Sequence, residues 1–180
     1  MKFKKGLSII AILSFVLIAS VVYYQMSFKT LEEAIEDSAV PIEEIYYTTE
    51  KKGYTIIVYG YEDVLSAGLI EKTFLGYRWS FGSGSDDFNM NDQILTKSFT
   101  NLGPRGSESN ENLVTLTLGV IYDDSIESLK IQYKDQEFTE ATIIETKKGR
   151  IWFSFSEAPL REYPEVIRVY KDGNEVAGWY

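Results

Sequence analysis

The sequence predicts a mainly β protein with a short N-terminal helix, in which an antiparallel β-sandwich or an open barrel-like body follows a single transmembrane helix. Three observations support this fold class. A long uncharged segment lies near the N-terminus, short segments alternate between apolar and polar residues, and turn signals recur about every 8–12 residues. Hydrophobic residues make up 44% of the chain and aromatic residues 14%, so the body has enough apolar surface to fold. The first half is also consistent with an α+β arrangement.

Residues 1–28 are predicted to anchor the chain in a membrane, as a transmembrane segment or uncleaved signal. Between Lys5 and Lys29 lie 23 residues without a charge, and a helix of this length, at about 1.5 Å per residue, covers a hydrocarbon core of ~30 Å. The three lysines among the first five residues favour a cytoplasmic N-terminus and a body outside the cytoplasm. A cleaved signal peptide is the alternative, but the residues before Ala19 match its small-residue cleavage pattern poorly. We therefore expect a single-pass protein of the cell membrane, with residues 6–24 in the bilayer.

Residues 29–82 are predicted to form a juxtamembrane helix and a first β-rich lobe. The tetrapeptide Thr30-Leu31-Glu32-Glu33 fits a capping box, in which the first and last side chains bond each other's backbone amides. Pro41 limits the helix on its far side. Residues 54–59 and 75–81 are rich in β-branched and aromatic side chains, which predicts strands. Residues 63–72 fit a helix and a strand equally well, because their leucines suit both periods.

Residues 83–93 are predicted to be a polar linker, and residues 94–180 a second, antiparallel β-rich lobe. The linker begins in a run of glycine, serine and aspartate that is typical of loops. Beyond it, period-two alternation predicts strands at 114–120, 129–133, 138–146, 150–155 and 166–170. The tetrapeptide Lys171-Asp172-Gly173-Asn174 predicts a final hairpin with residues 175–180.

The composition excludes several kinds of active site. The chain has no cysteine and no histidine, which removes thiolate nucleophiles, Ser-His-Asp triads and zinc sites built from those residues. Nucleotide-binding glycine motifs and the Ser-x-x-Lys motif are also missing, so no catalytic or cofactor-binding residue is predicted. Without the three N-terminal lysines the chain has 15 basic against 27 acidic residues. Such a body repels phosphate backbones, and nucleic acid is not expected as a partner.

One segment resembles the start of a calcium-binding loop. Asp87-Phe88-Asn89-Met90-Asn91 has oxygen ligands at alternate positions, but Asp92 stands where the turn needs glycine and Ser98 where the loop needs glutamate. Polar residues that favour turns explain the segment better. No metal site is predicted.

Aromatic side chains are the candidate binding residues. Trp152, Tyr59 and Tyr61 are the candidates for contact with a partner, since exposed aromatic rings stack on glycans or anchor proteins. In an alternating strand Trp152 points away from Ile151, Phe153 and Phe155, so it faces outward if those three are core. The alternative, which we favour, is that both faces of the sheet are covered.

Four short motifs carry a resemblance to bacterial envelope proteins. They are Thr30-Leu31-Glu32-Glu33-Ala34-Ile35, Gly76-Tyr77-Arg78-Trp79, Gly149-Arg150-Ile151-Trp152-Phe153 and Tyr170-Lys171-Asp172-Gly173-Asn174. Together they resemble small membrane-anchored or lipoprotein-type envelope proteins of Gram-positive, Bacillus-like bacteria. The resemblance implies a cell-envelope location and points to no active-site residue.

Two functional hypotheses follow from these observations. The first is a non-enzymatic, membrane-anchored extracytoplasmic protein that binds a protein partner or a cell-wall component. The alternative is a small hydrolase that uses a carboxylate pair, since 27 acidic residues offer many combinations. A cleft that holds two carboxyl groups with raised pKa values would favour the hydrolase. We expect the non-enzymatic protein, because the sequence contains no catalytic motif.

Overall fold

The fold is described by a computed structural model over residues 12–22, 30–74, 76–89, 93–106, 110–159 and 166–179. Within these residues the chain is mainly β, with antiparallel sheets and two short α-helices. None of the helices described there is both long enough and apolar enough to cross a membrane. The predicted span over residues 6–24 lies partly outside the described residues.

The two α-helices belong to the N-terminal part of the chain. The first, α1, covers residues 12–22, and the second, α2, covers Leu31–Asp37. The predicted capping box is confirmed: the Glu33 amide donates to Thr30 Oγ1 and the Thr30 amide donates to Glu33 Oε2, each over 3.2 Å. These bonds satisfy backbone donors that the start of a helix leaves without a partner. The helix ends before Pro41, as expected, and Ser38 is its C-terminal cap.

The described strands form three four-stranded sheets, joined in part by short turns. Sheet I has the order β1-β2-β3-β4, sheet II β5-β6-β10-β9 and sheet III β12-β11-β7-β8. In chain order the strands are β1 Glu44–Lys51, β2 Tyr54–Tyr61, β3 Val64–Thr73, β4 Gly76–Asp87, β5 Ser98–Leu102, β6 Val114–Ile121, β7 Ser128–Gln132, β8 Phe138–Glu140, β9 Thr142–Thr146, β10 Gly149–Ser156, β11 Val166–Lys171 and β12 Asn174–Trp179. A single 3₁₀ turn, Asn110–Asn112, precedes β6 among the described residues.

Most sequence-predicted strands are present, and four details differ. Of the ambiguous segment 63–72, all residues from 64 onward lie in strand β3, where six consecutive residues from Leu65 to Ile70 are buried. Burial on both faces of the strand explains why the helical and the strand period both fitted. Residues 83–87, predicted to begin a linker, end strand β4 instead. The single strand predicted over 138–146 divides at Ala141 into β8 of sheet III and β9 of sheet II. The strands β1 and β5 were not predicted.

The predicted final hairpin is confirmed. Lys171 pairs with Asn174 across the turn between β11 and β12. The two residues between them, Asp172 and Gly173, have φ angles of 50° and 74°. Positive φ at both central positions is typical of the type I′ turn, which asparagine, aspartate and glycine adopt most readily.

The chain divides into two compact units. The first contains the described residues up to Val40 together with Ile70–Trp79, and the second contains Pro41–Leu69 together with the described residues from Ser80 onward. This division does not follow the lobes predicted at 29–82 and 94–180. The predicted lobes lie on either side of a polar segment. In the structure the two units instead divide within β3 and within β4, because each of these strands contributes residues to both units.

The second unit has two apolar cores, one on each face of sheet II. The first core joins buried side chains of sheets I and II: Ile56, Val58, Leu65, Ala67, Leu69, Leu102, Val114, Leu116, Leu118, Val120, Ile151 and Phe153. The second core joins sheets II and III and the loop residues beside them: Leu95, Ile121, Ile126, Leu129, Ile131, Tyr133, Ala141, Trp152, Ile167 and Val169. Strand β6 is accordingly buried over all eight of its residues.

The second face of β6 is polar although it is buried. Thr115 and Thr117 alternate with the leucines of this strand and have no exposed surface. The Tyr133 hydroxyl donates to the Ser154 carbonyl at 3.0 Å and lies within hydrogen-bond distance of the Thr117 hydroxyl, at 3.1 Å. Hydrogen bonds of this kind offset the cost of burying polar groups. The threonine side of β6 is therefore a buried polar face and does not contact solvent.

Candidate functional site

Trp152 is buried, so the outward orientation considered for it is wrong. Its exposed fraction is 0%, and its indole Nε1 donates to the Thr96 carbonyl at 3.0 Å. The side chain does point away from Ile151 and Phe153, as alternation requires, but it points into the second core beneath sheet III. The favoured alternative, a strand covered on both faces, is confirmed at this position.

The two candidate tyrosines of strand β2 differ in exposure. Tyr59 is only 4% exposed, and burial raises the pKa of its hydroxyl, which bonds the Ser66 side chain. Tyr61 is half-buried at the end of the strand, and its hydroxyl donates to Glu62 Oε1 at 3.0 Å. That hydrogen bond, together with the negative charge of Glu62, raises the pKa of Tyr61. The three predicted aromatics therefore do not form a common exposed surface.

A groove of about 270 Å³ lies beside the ring of Phe155 in the second unit. We call it the Phe155 groove. Side chains from β1, β6, β8 and β10, and from the turns that follow β1 and β10, contribute to it, so the ends of all three sheets meet there. Its lining residues are Lys51, Lys52, Val114, Thr139, Phe155, Ser156 and Glu157.

Two lysines give the Phe155 groove its cationic side. The Lys51 ammonium lies 5.0 Å from the centroid of the Phe155 ring, a distance at which a cation is attracted to an aromatic face. Lys52 instead donates to the carbonyl oxygens of Glu111 at 3.0 Å and Leu113 at 2.7 Å. Lys52 thus holds the loop before β6, while the exposed Lys51 presents its charge to the groove.

The ring of Phe155 connects the groove to the first core. It meets Phe153 edge-on, with ring centroids 6.0 Å apart and an angle of 77° between the planes. Phe153 is 1% exposed, so its position is fixed by packing. The aromatic wall of the groove is therefore supported by the body of the protein, and a bound group would meet a preformed surface.

The hydroxyl in the groove is not arranged as a nucleophile. Ser156 Oγ donates to the Ala158 carbonyl at 2.7 Å and accepts from Gln136 Nε2 at 3.1 Å and from the Ala158 amide at 3.3 Å. A catalytic serine needs a base that takes its proton, whereas the Ser156 proton is directed to a backbone carbonyl. These hydrogen bonds hold the rim of the groove in place, and a fixed rim suits a binding site.

An ion pair between Glu43 and Lys148 lies away from this groove. Lys148 Nζ is 2.7 Å from Glu43 Oε2 and also donates to the Glu62 carbonyl. The hydrogen bond from Lys148 lowers the pKa of Glu43, and the same bond raises the pKa of Lys148. A general acid of a glycosidase needs a raised pKa. Glu43 is held in the opposite, ionised state.

The calcium-like segment begins in a local turn. Asp87 Oδ1 accepts a hydrogen bond of 2.7 Å from the Asn89 amide, as aspartate commonly does at turns. Residues 90–92 of the segment lie outside the described residues. Within the described part of the chain, no group of three or more acidic side chains is placed to hold a metal ion.

No protein-family model, no curated protein and no solved structure matches this chain. The candidate site therefore rests on the geometry of the Phe155 groove. Sequence reasoning missed this groove because its lining residues come from four distant segments. Phe155 itself was assigned to the core side of its strand, and nothing in the local pattern showed that its ring reaches the end of the sheet.

Proposed function

We propose that this chain is a membrane-anchored extracytoplasmic protein of the bacterial cell envelope, whose body binds a protein partner through the Phe155 groove without catalysing a reaction. The main support for anchoring is the surface of α1. Every residue from 12 to 22 is exposed, and the large apolar side chains among them are between 50% and 73% exposed. Apolar surface of this extent needs a cover, and the uncharged flanking sequence makes lipid the proposed cover.

We further propose that the second unit is a three-layered β-sandwich with sheet II in the middle. The two apolar cores on opposite faces of sheet II support this architecture. In such a sandwich both faces of the central sheet are covered by the two other sheets. We therefore expect the binding residues at the ends of the strands. The Phe155 groove has this position, since several of its lining residues end or begin strands.

The chemistry of the groove favours a protein segment over a glycan. Glycan sites commonly use an open aromatic platform, but Trp152 and Tyr59 are buried and the Phe155 ring already lies beneath the Lys51 ammonium. A cation above an aromatic wall, with the exposed Thr139 beside it, suits an acidic side chain followed by an apolar one. We therefore expect the partner to present an extended segment of this composition.

Pull-down from detergent-solubilised membranes tests the proposed function. The chain should recover the same protein reproducibly, and Lys51→Glu should reduce that recovery because it repels the acidic side chain in the groove. Lys130→Glu is the matched control, since Lys130 lies 5.1 Å above the ring of Tyr170 in the same way but outside the groove.

Three results would oppose the proposal. Recovery of the chain alone would remove the evidence for a partner. Equal losses with Lys51→Glu and Lys130→Glu would assign the effect to overall charge. Recovery of wall polysaccharide in place of protein would favour the cell-wall component over the protein partner.

A further inference from the structure

The turn between β3 and β4 presents an aromatic side chain to solvent. Phe74 is 89% exposed, more than any other large hydrophobic side chain in the described residues. Thr73 Oγ1 donates to the Gly76 carbonyl at 3.0 Å between the two strands. Burying a phenylalanine is normally favourable by about 1.5–3 kcal/mol, so this exposure calls for an explanation.

A second turn in the same protein shows that the fold does not require phenylalanine at this position. Thr146-Lys147-Lys148-Gly149 repeats the spacing of Thr73-Phe74-Leu75-Gly76. Its threonine likewise donates to the glycine carbonyl, at 2.6 Å, and the two glycines have φ angles of 129° and 134°. At the position that corresponds to Phe74, this turn has Lys147, whose side chain is 87% exposed. A charged residue at this position is therefore compatible with the same threonine-to-glycine hydrogen bond and the same glycine φ angle.

The exposed apolar surface of the first unit is not confined to this turn. Residues 70–79 belong to the same compact unit as α1, whose large apolar side chains are also exposed. Beside Phe74, the Lys72 ammonium lies 5.9 Å from the Tyr77 ring centroid. Farther along the hairpin, Arg78 and Glu71 neutralise each other across 2.6 Å. Phenylalanine, tyrosine and an exposed lysine together are typical of segments that rest in a membrane interface.

We propose that the β3–β4 turn is a second membrane contact, in which Phe74 enters the boundary between lipid headgroups and acyl chains. The proposal rests on the proposed membrane anchoring by α1. Lipid is favoured over a protein partner because the turn shares its compact unit with the other exposed apolar surface. The acidic residues of α2, including Glu32 and Glu33, belong to the same unit and offset the charge of Lys72. The contact should therefore depend on Phe74 and change little with salt.

Site-directed spin labelling of the full chain in phospholipid vesicles tests this contact. Because the chain has no cysteine, single replacements at Phe74→Cys, Ser14→Cys and Val176→Cys give unique nitroxide sites. Accessibility to oxygen, which concentrates in lipid, is compared with accessibility to a water-soluble nickel chelate. Ser14 lies in α1, and Val176 is an exposed apolar residue of the second unit, with 54% exposure.

The oxygen-to-nickel ratio at position 74 should be higher than at 176 and lower than at 14. A ratio at 74 equal to that at 176, with position 14 in lipid, would overturn the second contact and leave the anchor intact. Water-like ratios at 14 and 74 would overturn the anchoring itself. Shielding of position 74 from both reagents would indicate a protein contact and also overturn the proposal.

A companion variant separates this contact from folding. Phe74→Lys places at the turn the residue type that the second turn has at Lys147. It should leave the thermal unfolding midpoint unchanged, because an exposed side chain contributes little to stability. A large fall in the midpoint would show that Phe74 supports the fold, and would overturn its assignment to the membrane.

Discussion

Gly119 lies beside the Trp152 side chain on the second face of sheet II. An added methyl group at this glycine should destabilise the protein strongly. A Cβ atom at this position would lie 2.0 Å from the Thr96 carbonyl oxygen and 2.6 Å from Trp152 Nε1. Thr96 has little freedom to move away. Its amide donates to the Val120 carbonyl at 2.8 Å, and its hydroxyl accepts from the Val120 amide at 2.9 Å. Gly119→Ala therefore has to displace a backbone segment that β6 itself holds.

The expected loss follows from two effects. Displacing Thr96 separates its carbonyl from the indole of Trp152 and leaves a buried donor without a partner, which costs about 1–3 kcal/mol. Fitting extra volume into packed surroundings costs about 1–3 kcal/mol more. We therefore expect Gly119→Ala to lower the free energy of unfolding by about 2–6 kcal/mol. That is a large share of the stability of an ordinary domain.

Urea titration of the full chain in mild detergent, followed by circular dichroism, measures this loss. Gly103→Ala is the control, because its added Cβ meets only the end of the Leu113 side chain, at 2.4 Å. A flexible side chain can move aside, so the control should lose no more than about 1 kcal/mol. Equal losses for the two variants would refute the packing of Thr96 and Trp152 against β6.

Three further predictions concern single groups. Tyr133→Phe should cost about 1–3 kcal/mol, because two buried oxygens lose their partner. Burial raises the pKa of Tyr133, so the unfolded chain ionises first above about pH 10 and stability falls there; the variant should flatten this alkaline loss in urea titrations at increasing pH. Lys148 lowers the pKa of Glu43 below 4.5, so Glu43 contributes stability above that pH and loses the contribution as the pH falls. Glu43→Gln should therefore reduce the acid-side fall of the thermal midpoint. Thr30→Ala removes the cap of α2 and should destabilise that helix by about 1 kcal/mol, seen as faster amide exchange over residues 31–37.

Local signals predicted local structure well. The capping box at Thr30 depends only on four consecutive residues, and the turn at Lys171–Asn174 depends only on residues that accept positive φ. Both features are present because neighbouring atoms determine them. The alternation in β6 and β10 likewise predicted which side chains share a face.

What covers each face could not be predicted from alternation. Trp152 faces away from Phe153 as expected, but the third sheet that buries it comes from residues 128–179. Alternation in β6 did not show what covers its threonine face, because the hydrogen-bond partner of Thr117 is distant in sequence. Strand β1 was missed because it has an irregular register between Ile45 and Tyr47, which breaks the alternating pattern.

The Phe155 groove was beyond sequence reasoning for the same reason. Its polar and apolar residues come from separate strand ends, and none of these segments has a motif that marks a binding site. The exposed Phe74 could have been suspected from the sequence, since Thr73–Gly76 and Thr146–Gly149 share their spacing. Only the structure shows that the two segments share the threonine-to-glycine hydrogen bond and the positive φ angle of the glycine.

The most direct test of the proposed function measures cysteine labelling in the groove on intact cells. Thr139→Cys places a thiol in the groove, and Asp172→Cys places one on the exposed turn between β11 and β12. The native chain has no cysteine, so each variant has a single thiol. A membrane-impermeant maleimide should label both sites on intact, wall-stripped cells. Position 139 should react more slowly there than in the purified chain, because the partner covers it, while position 172 should react equally fast in both. Labelling only after lysis would contradict the extracytoplasmic location, and equal rates at position 139 would contradict an occupied groove.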